Sequence, residues 1–273
     1  MNEFHIINVG ASIITNYQKT RDDFKNRRLA DNQFWSEILA TPRELKEIYE
    51  FVKNNPYQNS AELNSFLRKI KNTKNRIEVY FTGTKTPVNE ICVRALERFM
   101  RDNSFTVYTT KEFPGYFMET YEGEDRVKSF SAGIVDMLNH LIRLAKAKRQ
   151  AGYRVFFNPT GGFKAHVIAC ALAGFMTGAE VYYLNEEFND VVTLPPLFYI
   201  PRGQERELLN LLADGRPRSG KECETIFNTY GDSVERLITY NLIDAETDDT
   251  GRIFRIKITS RGRLINQELR AEQ

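Results

Sequence analysis

Hydrophobic residues up to residue 201 follow two patterns that alternate along the chain. Short runs rich in β-branched and aromatic residues, typical of strands, occupy residues 4–9, 77–81, 105–109, 153–157, 179–184 and 191–194. Apolar residues at three- and four-residue spacing predict helices over residues 43–53, 62–71, 88–100, 127–150 and 164–177. A polar segment at residues 111–125, which contains a Pro-Gly pair, predicts a loop. Strands separated by helices form parallel β-α-β units, so the sequence indicates the α/β class with a Rossmann-like, doubly wound, mostly parallel sheet.

The pattern changes after residue 201. Three short helix signals cover residues 205–213, 221–230 and 233–241, and a polar turn around Asp248 precedes a strand signal at residues 253–258. A last helix is predicted from Ser260. Helices followed by a β-hairpin are typical of a winged helix. We therefore expect a ligand-binding domain of residues 1–201 and a small winged-helix domain of residues 202–273, both within the usual range of domain sizes.

Composition and charge exclude several classes of protein. The chain has 273 residues, of which 41% are hydrophobic, enough to bury a core and too many for a disordered chain. The formal net charge of +2 provides no overall field that would draw the protein to nucleic acid or to a membrane. Three cysteines far apart, with no Cys-x-x-Cys pair, argue against zinc and against a disulfide framework. The longest apolar run is too short to cross a membrane, and the amino terminus leads into a strand pattern rather than a signal peptide, so we expect a cytoplasmic protein with no membrane partner.

Two loops that follow predicted strands carry the candidate chemistry. The first begins at Gly10, and the second covers residues 158–164. Ligands of open parallel sheets bind beyond the carboxyl ends of the strands. Adjacent glycines let the backbone approach such a ligand, and the helix that follows presents free N–H groups to an anion, so a phosphate-bearing ligand is predicted. The residues expected to line its site are Gly10, Ala11, Asn16, Thr82, Gly83, Asn158, Thr160, Gly161, Gly162 and Phe163.

Simpler interpretations of the same residues remain open. A Gly-Gly pair after a strand is often only a tight turn, and Ser12 by itself is more often a helix cap than a catalytic group. The second loop matches neither the Walker A sequence nor the dinucleotide fingerprint, which disfavours ATP hydrolysis and dinucleotide binding. Neither loop contains a carboxylate, so we expect no bound metal and no cofactor. His166 lies two residues after Lys164, but its spacing assigns it no role.

The first loop, with Val9 before it and Asn16 after it, and the string Asn-Pro-Thr-Gly-Gly-Phe-Lys of residues 158–164 resemble the CARF (CRISPR-associated Rossmann fold) proteins of type III CRISPR systems. Within that family the chain is most similar to the stand-alone ring nucleases that carry a carboxy-terminal winged helix. The resemblance implies a homodimer that binds cyclic oligoadenylate, usually the tetramer, across its two-fold axis. It also implies that Ser12 and Lys164 take part in cleavage. A dimer is favoured independently by the helix predicted at residues 164–177, which is apolar nearly all round and should be buried on both sides.

The chemistry of a cyclic oligoadenylate fits these residues. Each linkage carries its own nucleophile, the adjacent 2′-OH, so the protein needs only to impose in-line geometry and to stabilise charge on the phosphate. Lys164 and the amides of Gly161 and Gly162 would supply that stabilisation, while Ser12 would hold a phosphate oxygen or orient the 2′-OH. The expected products end in a 2′,3′-cyclic phosphate and form without a metal.

Two functions of different classes remain. The first is an enzyme that opens the ring and so switches the antiviral response off. The second is a sensor or transcription regulator, in which the same site only binds and the winged helix reads DNA. Residues 202–273 hold 12 Lys and Arg against 13 Asp and Glu, a net charge of −1, whereas a winged helix that binds DNA usually presents a positive face. DNA is therefore the less favoured partner, and the ring nuclease is the preferred hypothesis.

Overall fold

The chain folds into two compact units, residues 1–194 and residues 195–273. The computed structural model describes residues 2–108, 111–113, 123–185, 187, 190–195 and 199–271. Each unit has a hydrophobic core built from its own residues. The division between the units falls after residue 194, whereas the sequence pattern predicts it after residue 201.

The first unit combines a β-sheet with helices. Its strands are β1 (Asn2–Asn8), β2 (Arg76–Thr84), β3 (Thr106–Val107), β4 (Lys111–Phe113), β5 (Tyr153–Asn158), β6 (Glu180–Asn185) and β7 (Asp190–Leu194). Its helices are α1 (Ser12–Gln18), α2 (Asn32–Leu39), α3 (Pro42–Asn54), α4 (Pro56–Asn59), α5 (Ala61–Ile70), α6 (Pro87–Asp102), α7 (Gly123–Gln150) and α8 (Lys164–Met176).

One sheet contains these strands in the order β3-β2-β1-β5-β6-β7, and β4 pairs with the end of β2. Each of these pairings is parallel except that of β6 with β7. β1 lies between β2 and β5 and pairs with both in parallel. Ile6 lies opposite Tyr80 on β2 and opposite Phe157 on β5. The predicted α/β class with a Rossmann-like, mostly parallel sheet is confirmed.

Helices cover both faces of this sheet, which explains why β1 is buried at every position from Glu3 to Asn8. Successive side chains of a strand point to opposite faces. Phe4 and Ile6 accordingly belong to the core formed with α7 and α8, and Ile7 and Val9 belong to the core formed with the helices before α7. A strand covered on both faces needs apolar residues at consecutive positions rather than at alternate ones.

The predicted loop at residues 111–125 is wrong at both ends. Residues Lys111–Phe113 form β4, because backbone pairing with the end of β2 requires no apolar side chains. α7 begins at Gly123, ahead of the predicted start at residue 127. Residues 114–122, which include the Pro-Gly pair, lie outside the described residues. The sequence pattern does not predict α1, α2 and α4; α1 and α4, with seven and four residues, are too short to establish a period.

The second unit contains helices and a small antiparallel sheet. Its elements are α9 (Gln204–Leu211), β8 (Arg218–Ser219), α10 (Lys221–Thr239), β9 (Ile243–Thr247), β10 (Ile253–Ile258) and α11 (Ser260–Ala271). The sheet has the order β8-β10-β9. Tyr230 leaves the helical conformation inside α10, at the break between two of the predicted helices. This order of elements fits the winged-helix hypothesis, which stays a prediction.

α8 packs very closely against the sheet of the first unit. A Cβ added at Gly174 would lie 2.5 Å from Cγ2 of Val181 and 3.2 Å from the ring of Phe157. The helix and the sheet therefore approach more closely here than any larger residue would allow. No helix in the part of the chain that the structure describes combines the length and the hydropathy needed to cross a membrane.

We expect Gly174→Ala to lower the free energy of unfolding of the first unit by about 1–3 kcal/mol, because the new methyl group would overlap Val181. Urea titration followed by circular dichroism measures this change. Gly231→Ala is the control, since a Cβ at that position in α10 meets nothing within 4 Å and should be neutral or stabilising. An unchanged unfolding midpoint for Gly174→Ala would contradict the packing described here.

Candidate functional site

The two predicted glycine loops are in direct backbone contact. They follow β1 and β5, which are neighbours in the sheet and end at the same edge. A Cβ added at Gly10 would lie 2.3 Å from the backbone nitrogen of Gly162. Gly162 has a φ of +108°, a conformation that favours glycine, and a Cβ there would lie 2.3 Å from Nδ2 of Asn8. Any side chain at either glycine would force the two loops apart.

Glu62 on α5 supplies the carboxylate that neither loop contains. It is 1% exposed, and its Oε1 accepts a hydrogen bond from the N–H of Gly10 at 2.8 Å. Its Oε2 accepts from the hydroxyls of Ser12 at 2.6 Å and Ser60 at 2.9 Å. A Cβ added at Gly161 would lie 2.1 Å from Oε1 of Glu62, so this carboxylate also fills the space beside the second loop.

Glu62 is absent from the predicted site because it carries no distinctive sequence signal. A glutamate in the first turn of a helix is common, since its charge interacts favourably with the helix dipole. Only the packing of α5 against both loops brings its carboxylate to the site.

Ser12 is the first residue of α1, and its hydroxyl is already engaged. Besides donating to Glu62, its Oγ accepts a hydrogen bond from the N–H of Ala61 at 3.1 Å. A serine oxygen has two acceptor positions, so one remains open. The residue is half-buried at the edge of the first loop.

Lys164 is the first residue of α8 and is exposed. No carboxylate among the described residues forms an ion pair with it. The first N–H groups of an α-helix have no partner within the helix, and the helix dipole is positive at this end. Lys164 and the start of α8 together form a positive pole directly after the second glycine loop.

Asn158 and Thr160 use their polar groups inside the protein. Asn158 is fully buried and donates from Nδ2 to Oγ of Ser65 at 2.7 Å. Its Oδ1 accepts from the N–H of Thr160 at 3.2 Å and from the hydroxyl of the same residue. These bonds fix the turn that leads to the glycine pair, and a direct contact of either residue with a ligand stays a prediction.

Thr82 and Gly83 lie inside β2 rather than in a loop after it, because the strand continues to Thr84. Thr82 is fully buried, and the side chain of Asn89 occupies the space beside Gly83. Asn89 donates to the carbonyl of Val9 at 2.8 Å and so ties the end of β2 to the first loop. The sequence pattern does not single out Asn89, which stands in the first turn of an ordinary amphipathic helix.

Asn16 points towards α4. Its Nδ2 donates to the carbonyl of Gln58 at 3.2 Å, and its Oδ1 accepts from Nζ of Lys19 at 3.0 Å. The residue therefore links α1 to the segment that leads into α5.

A cavity of about 310 Å³ opens beside the glycine loops. Four of the predicted residues border it: Gly10, Ala11, Gly162 and Phe163. Residues outside the predicted set complete the wall, namely Val9, Leu29, Ala30, Thr84, Thr86, Val88 and Asn89. Apolar groups make up most of this wall, which suits a flat aromatic group better than a bare phosphate.

No group of three or more His, Cys, Asp or Glu side chains among the described residues is placed to hold a metal ion. The oxygens of Glu62 are occupied by protein donors at the site.

A family model described as CRISPR-associated protein (Cas_APE2256) matches residues 57–197, a little over half of the chain. The chain belongs to the Cas_APE2256 family of CRISPR-associated proteins. The predicted membership of a CARF-type CRISPR-associated family is confirmed. The matched span contains Glu62 and the second loop, whereas Ser12 and nearly all of the second unit lie outside it.

Two solved structures are similar to this Cas_APE2256 chain over 97% of its length. Protein VC1899 from Vibrio cholerae is 9% identical, with a TM-score of 0.37, and 64% of that chain is covered. Can2 from Sulfobacillus thermosulfidooxidans, solved in complex with cyclic tetra-adenylate (cA4), is 9% identical, with a TM-score of 0.32, and 61% of that chain is covered. The chain therefore spans less than two thirds of the length of either protein.

His166 lies in the first turn of α8 and is 1% exposed. Neither of its ring nitrogens has a hydrogen-bond partner among the described residues. Its ring packs against Phe163 and Phe130, with centroid distances of 5.9 and 6.0 Å. Burial without a compensating charge lowers the pKa of His166 to about 4. In this Cas_APE2256 protein His166 is therefore a neutral packing residue beneath Phe163 at neutral pH.

The pKa of His166 makes stability depend on pH. Because its folded pKa of about 4 lies below the unfolded value of 6.5, the unfolded state binds the proton more readily, and stability falls as the pH drops from 7 to 5. We expect His166→Leu to reduce the fall in the free energy of unfolding between pH 7 and pH 5 by about 2 kcal/mol. Urea unfolding at the two pH values measures this difference. Burial also lowers the pKa of His5, but His5 is present in both proteins, so their difference isolates His166. Equal losses in both proteins would show that His166 is not buried in its neutral form.

Proposed function

We propose that this Cas_APE2256 protein is a ring nuclease that binds cyclic oligoadenylate, most of all cyclic tetra-adenylate, across a homodimer and cleaves it without a metal. The observation that supports the proposal is the backbone contact of Gly10 with Gly162, since it brings the loop of Ser12 next to the loop of Lys164. Membership of a CRISPR-associated family agrees with it. Opening the ring would switch the antiviral signal off.

The start of α8 suits the phosphates of such a ring. A lysine in the first turn of a helix is unfavourable for the helix dipole unless an anion neutralises it. Lys164 is exposed and has no ion pair among the described residues, and the free N–H groups of the first helical turn lie beside it. A phosphodiester bound here would neutralise the charge of Lys164 and accept hydrogen bonds from these N–H groups.

The cavity beside the loops suits an adenine base. Its wall is mostly apolar, and Phe163 at its border is 50% exposed, so the phenyl ring is available for stacking. Thr84 and Thr86 border the same cavity. Adenine in the cavity and phosphate at the start of α8 would together orient one linkage of the ring at Ser12.

Cleavage then needs little chemistry from the protein. The 2′ oxygen of one nucleotide attacks the adjacent phosphorus, the bond from phosphorus to the 5′ oxygen breaks, and a 2′,3′-cyclic phosphate forms. Lys164 and the amide of Gly162 stabilise the charge that develops on the phosphate oxygens. The fixed site holds the three reacting atoms in line.

A homodimer is supported by the apolar residues that α8 leaves in solvent. Ile168 and Met176 are 59% and 56% exposed, so the expected burial of α8 on both sides is not reached within one chain. A second copy that covers this face would form a two-fold pair of sites, which matches the two-fold symmetry of a cyclic tetramer.

Light scattering at micromolar concentration should give twice the chain mass of 31.7 kDa. Ile168→Glu should reduce the mass to that of the monomer, since a charge cannot be buried in an apolar interface without a partner. Leu211→Glu, at an exposed apolar position of the second unit, is the matched control and should leave the dimer intact. A monomeric wild-type protein would count against the dimer.

Lys164→Ala should lower the rate of cleavage of cyclic tetra-adenylate by about 10²-fold or more, the scale for loss of one preorganised donor, and should weaken binding by less. Ser12→Ala should lower the rate while most of the affinity remains, because a neutral hydroxyl contributes only about 0.5–1.5 kcal/mol to a ground-state contact. Single-turnover cleavage and calorimetric binding measure the two quantities. Lys71→Ala, at the exposed carboxyl end of α5, is the control.

The cleavage products distinguish attack by the 2′-OH from a metal-dependent mechanism. We expect linear di-adenylates that end in a 2′,3′-cyclic phosphate, at the same rate in excess EDTA. Activity that disappears in EDTA, or products that end in a plain 3′-hydroxyl, would refute the mechanism even if the substrate is correct. A wild-type protein that binds the ring and returns it intact would be a sensor rather than an enzyme.

A regulator that reads DNA is the other candidate, and the charges of the second unit argue against it. Arg236, on the predicted helix of residues 233–241, is paired with Glu205 at 2.7 Å. Arg255 on β10 is paired with Glu246 at 2.9 Å. Arginines neutralised in this way contribute less to an electrostatic attraction for phosphates.

A further inference from the structure

The direction of the hydrogen bond between Ser12 and Glu62 is set by the chemistry of the two groups. A carboxylate only accepts hydrogen bonds, so the hydroxyl of Ser12 is the donor in the 2.6 Å contact with Oε2. The N–H of Ala61 occupies one acceptor position of Ser12 Oγ. What remains for a ligand is a single acceptor position on this oxygen.

This arrangement discriminates between two roles for Ser12. A phosphate oxygen needs a hydrogen-bond donor. Ser12 could donate to it only by breaking its hydrogen bond to Glu62, and the buried oxygen of Glu62 would then lose a charge-assisted bond. A 2′-OH is itself a donor and needs an acceptor. The hydrogen-bond pattern therefore favours the 2′-OH over the phosphate as the partner of Ser12.

We propose that Glu62 is a positioning residue for cleavage: it draws the Ser12 proton towards itself, so that Ser12 Oγ accepts the 2′-OH and relays its proton. This inference rests on the proposed ring-nuclease function and specifies the role of one carboxylate within it. Glu62 does not touch the substrate and acts through Ser12.

The proton balance of the step is complete without a further reactant. The 2′ oxygen forms a bond to phosphorus as its proton passes to Ser12 Oγ, and the Ser12 proton passes to Oε2 of Glu62. The bond from phosphorus to the 5′ oxygen breaks, and the 5′ oxygen takes a proton from water. Glu62 then returns its proton through Ser12 to water, so that one proton has moved from the 2′ to the 5′ oxygen.

Glu62→Gln tests this role because it keeps the size of the side chain and reverses one hydrogen bond. The new amide nitrogen cannot face the N–H of Gly10, since two donors would then meet, so it takes the place of Oε2 beside Ser12 and Ser60. Ser12 then accepts from this amide and turns its own proton towards the ligand. We expect cleavage in a single turnover to fall by about 10²-fold or more, the scale of lost general acid-base assistance. Affinity for 2′-deoxy cyclic tetra-adenylate, which lacks the nucleophile, should change little.

A double-mutant cycle separates positioning from a structural role. In a protein that already carries Ser12→Ala, adding Glu62→Gln should cause no further loss of cleavage, because the residue through which Glu62 acts is absent. Glu62→Asp keeps a carboxylate and should retain more activity than Glu62→Gln. If the glutamine variant does not fold, Glu62→Asp takes its place in the cycle and should cause no further loss of cleavage in the Ser12→Ala protein.

Glu78→Gln is the matched control for the loss of a buried carboxylate. Glu78 is 3% exposed and accepts from Tyr108, Tyr153 and Lys148, so its loss should lower stability but not the cleavage rate of folded protein.

The outcomes distinguish this inference from the function on which it rests. If the wild-type protein leaves the ring intact, the proposed function fails and the inference fails with it. If the wild type cleaves and Glu62→Gln cleaves equally fast, only the inference is overturned. Losses of cleavage and of affinity in equal proportion, or additive losses with Ser12→Ala, would also overturn it, because they indicate a purely structural carboxylate.

Discussion

The buried carboxylate of Glu62 joins two separate parts of the chain, residues 10–12 and the start of α5, through hydrogen bonds. It accepts from the backbone of the first glycine loop, from the hydroxyl at the start of α1 and from Ser60, which caps its own helix. A charge at 1% exposure is tolerated only when its oxygens are satisfied, and the positive end of α5 adds to that stabilisation. Gly161 is confined to glycine by the same carboxylate. The geometry of both loops therefore depends on this one group.

The sheet explains why these parts meet. β1 has parallel neighbours on both sides, so its carboxyl end lies between those of β2 and β5. Asn89 binds the β2 end to the first loop, and Asn8 binds the end of β1 to the second loop through the carbonyl of Gly161. Buried amide side chains thus hold the strand ends together, while Lys164, Phe163, the glycine backbone and the open acceptor position of Ser12 remain available to a ligand.

Only part of the site lies within the segment of the chain that matches the family model. The second loop and Glu62 lie within the span that matches the Cas_APE2256 family, whereas Ser12 lies before it. The place of Ser12 follows from the fold, through its bonds to Glu62 and Ala61. The proposed chemistry uses residues of the first unit. The second unit has a separate core, and two of its arginines, Arg236 and Arg255, are paired with glutamates.

The sequence by itself determined the α/β class, the order of the long elements, the two glycine loops and the family. Hydrophobic periodicity over ten or more residues and glycines after buried strands are local signals, so they are readable without the fold. Only the tertiary structure decided which polar groups remain free. Asn158 is predicted to line the ligand site, but its buried amide donates to Ser65, and Glu62 looks like an ordinary first-turn glutamate but lies against both loops. The reason is physical: hydrogen bonds between residues far apart in the chain consume donors and acceptors, and no local pattern records which pairs will form.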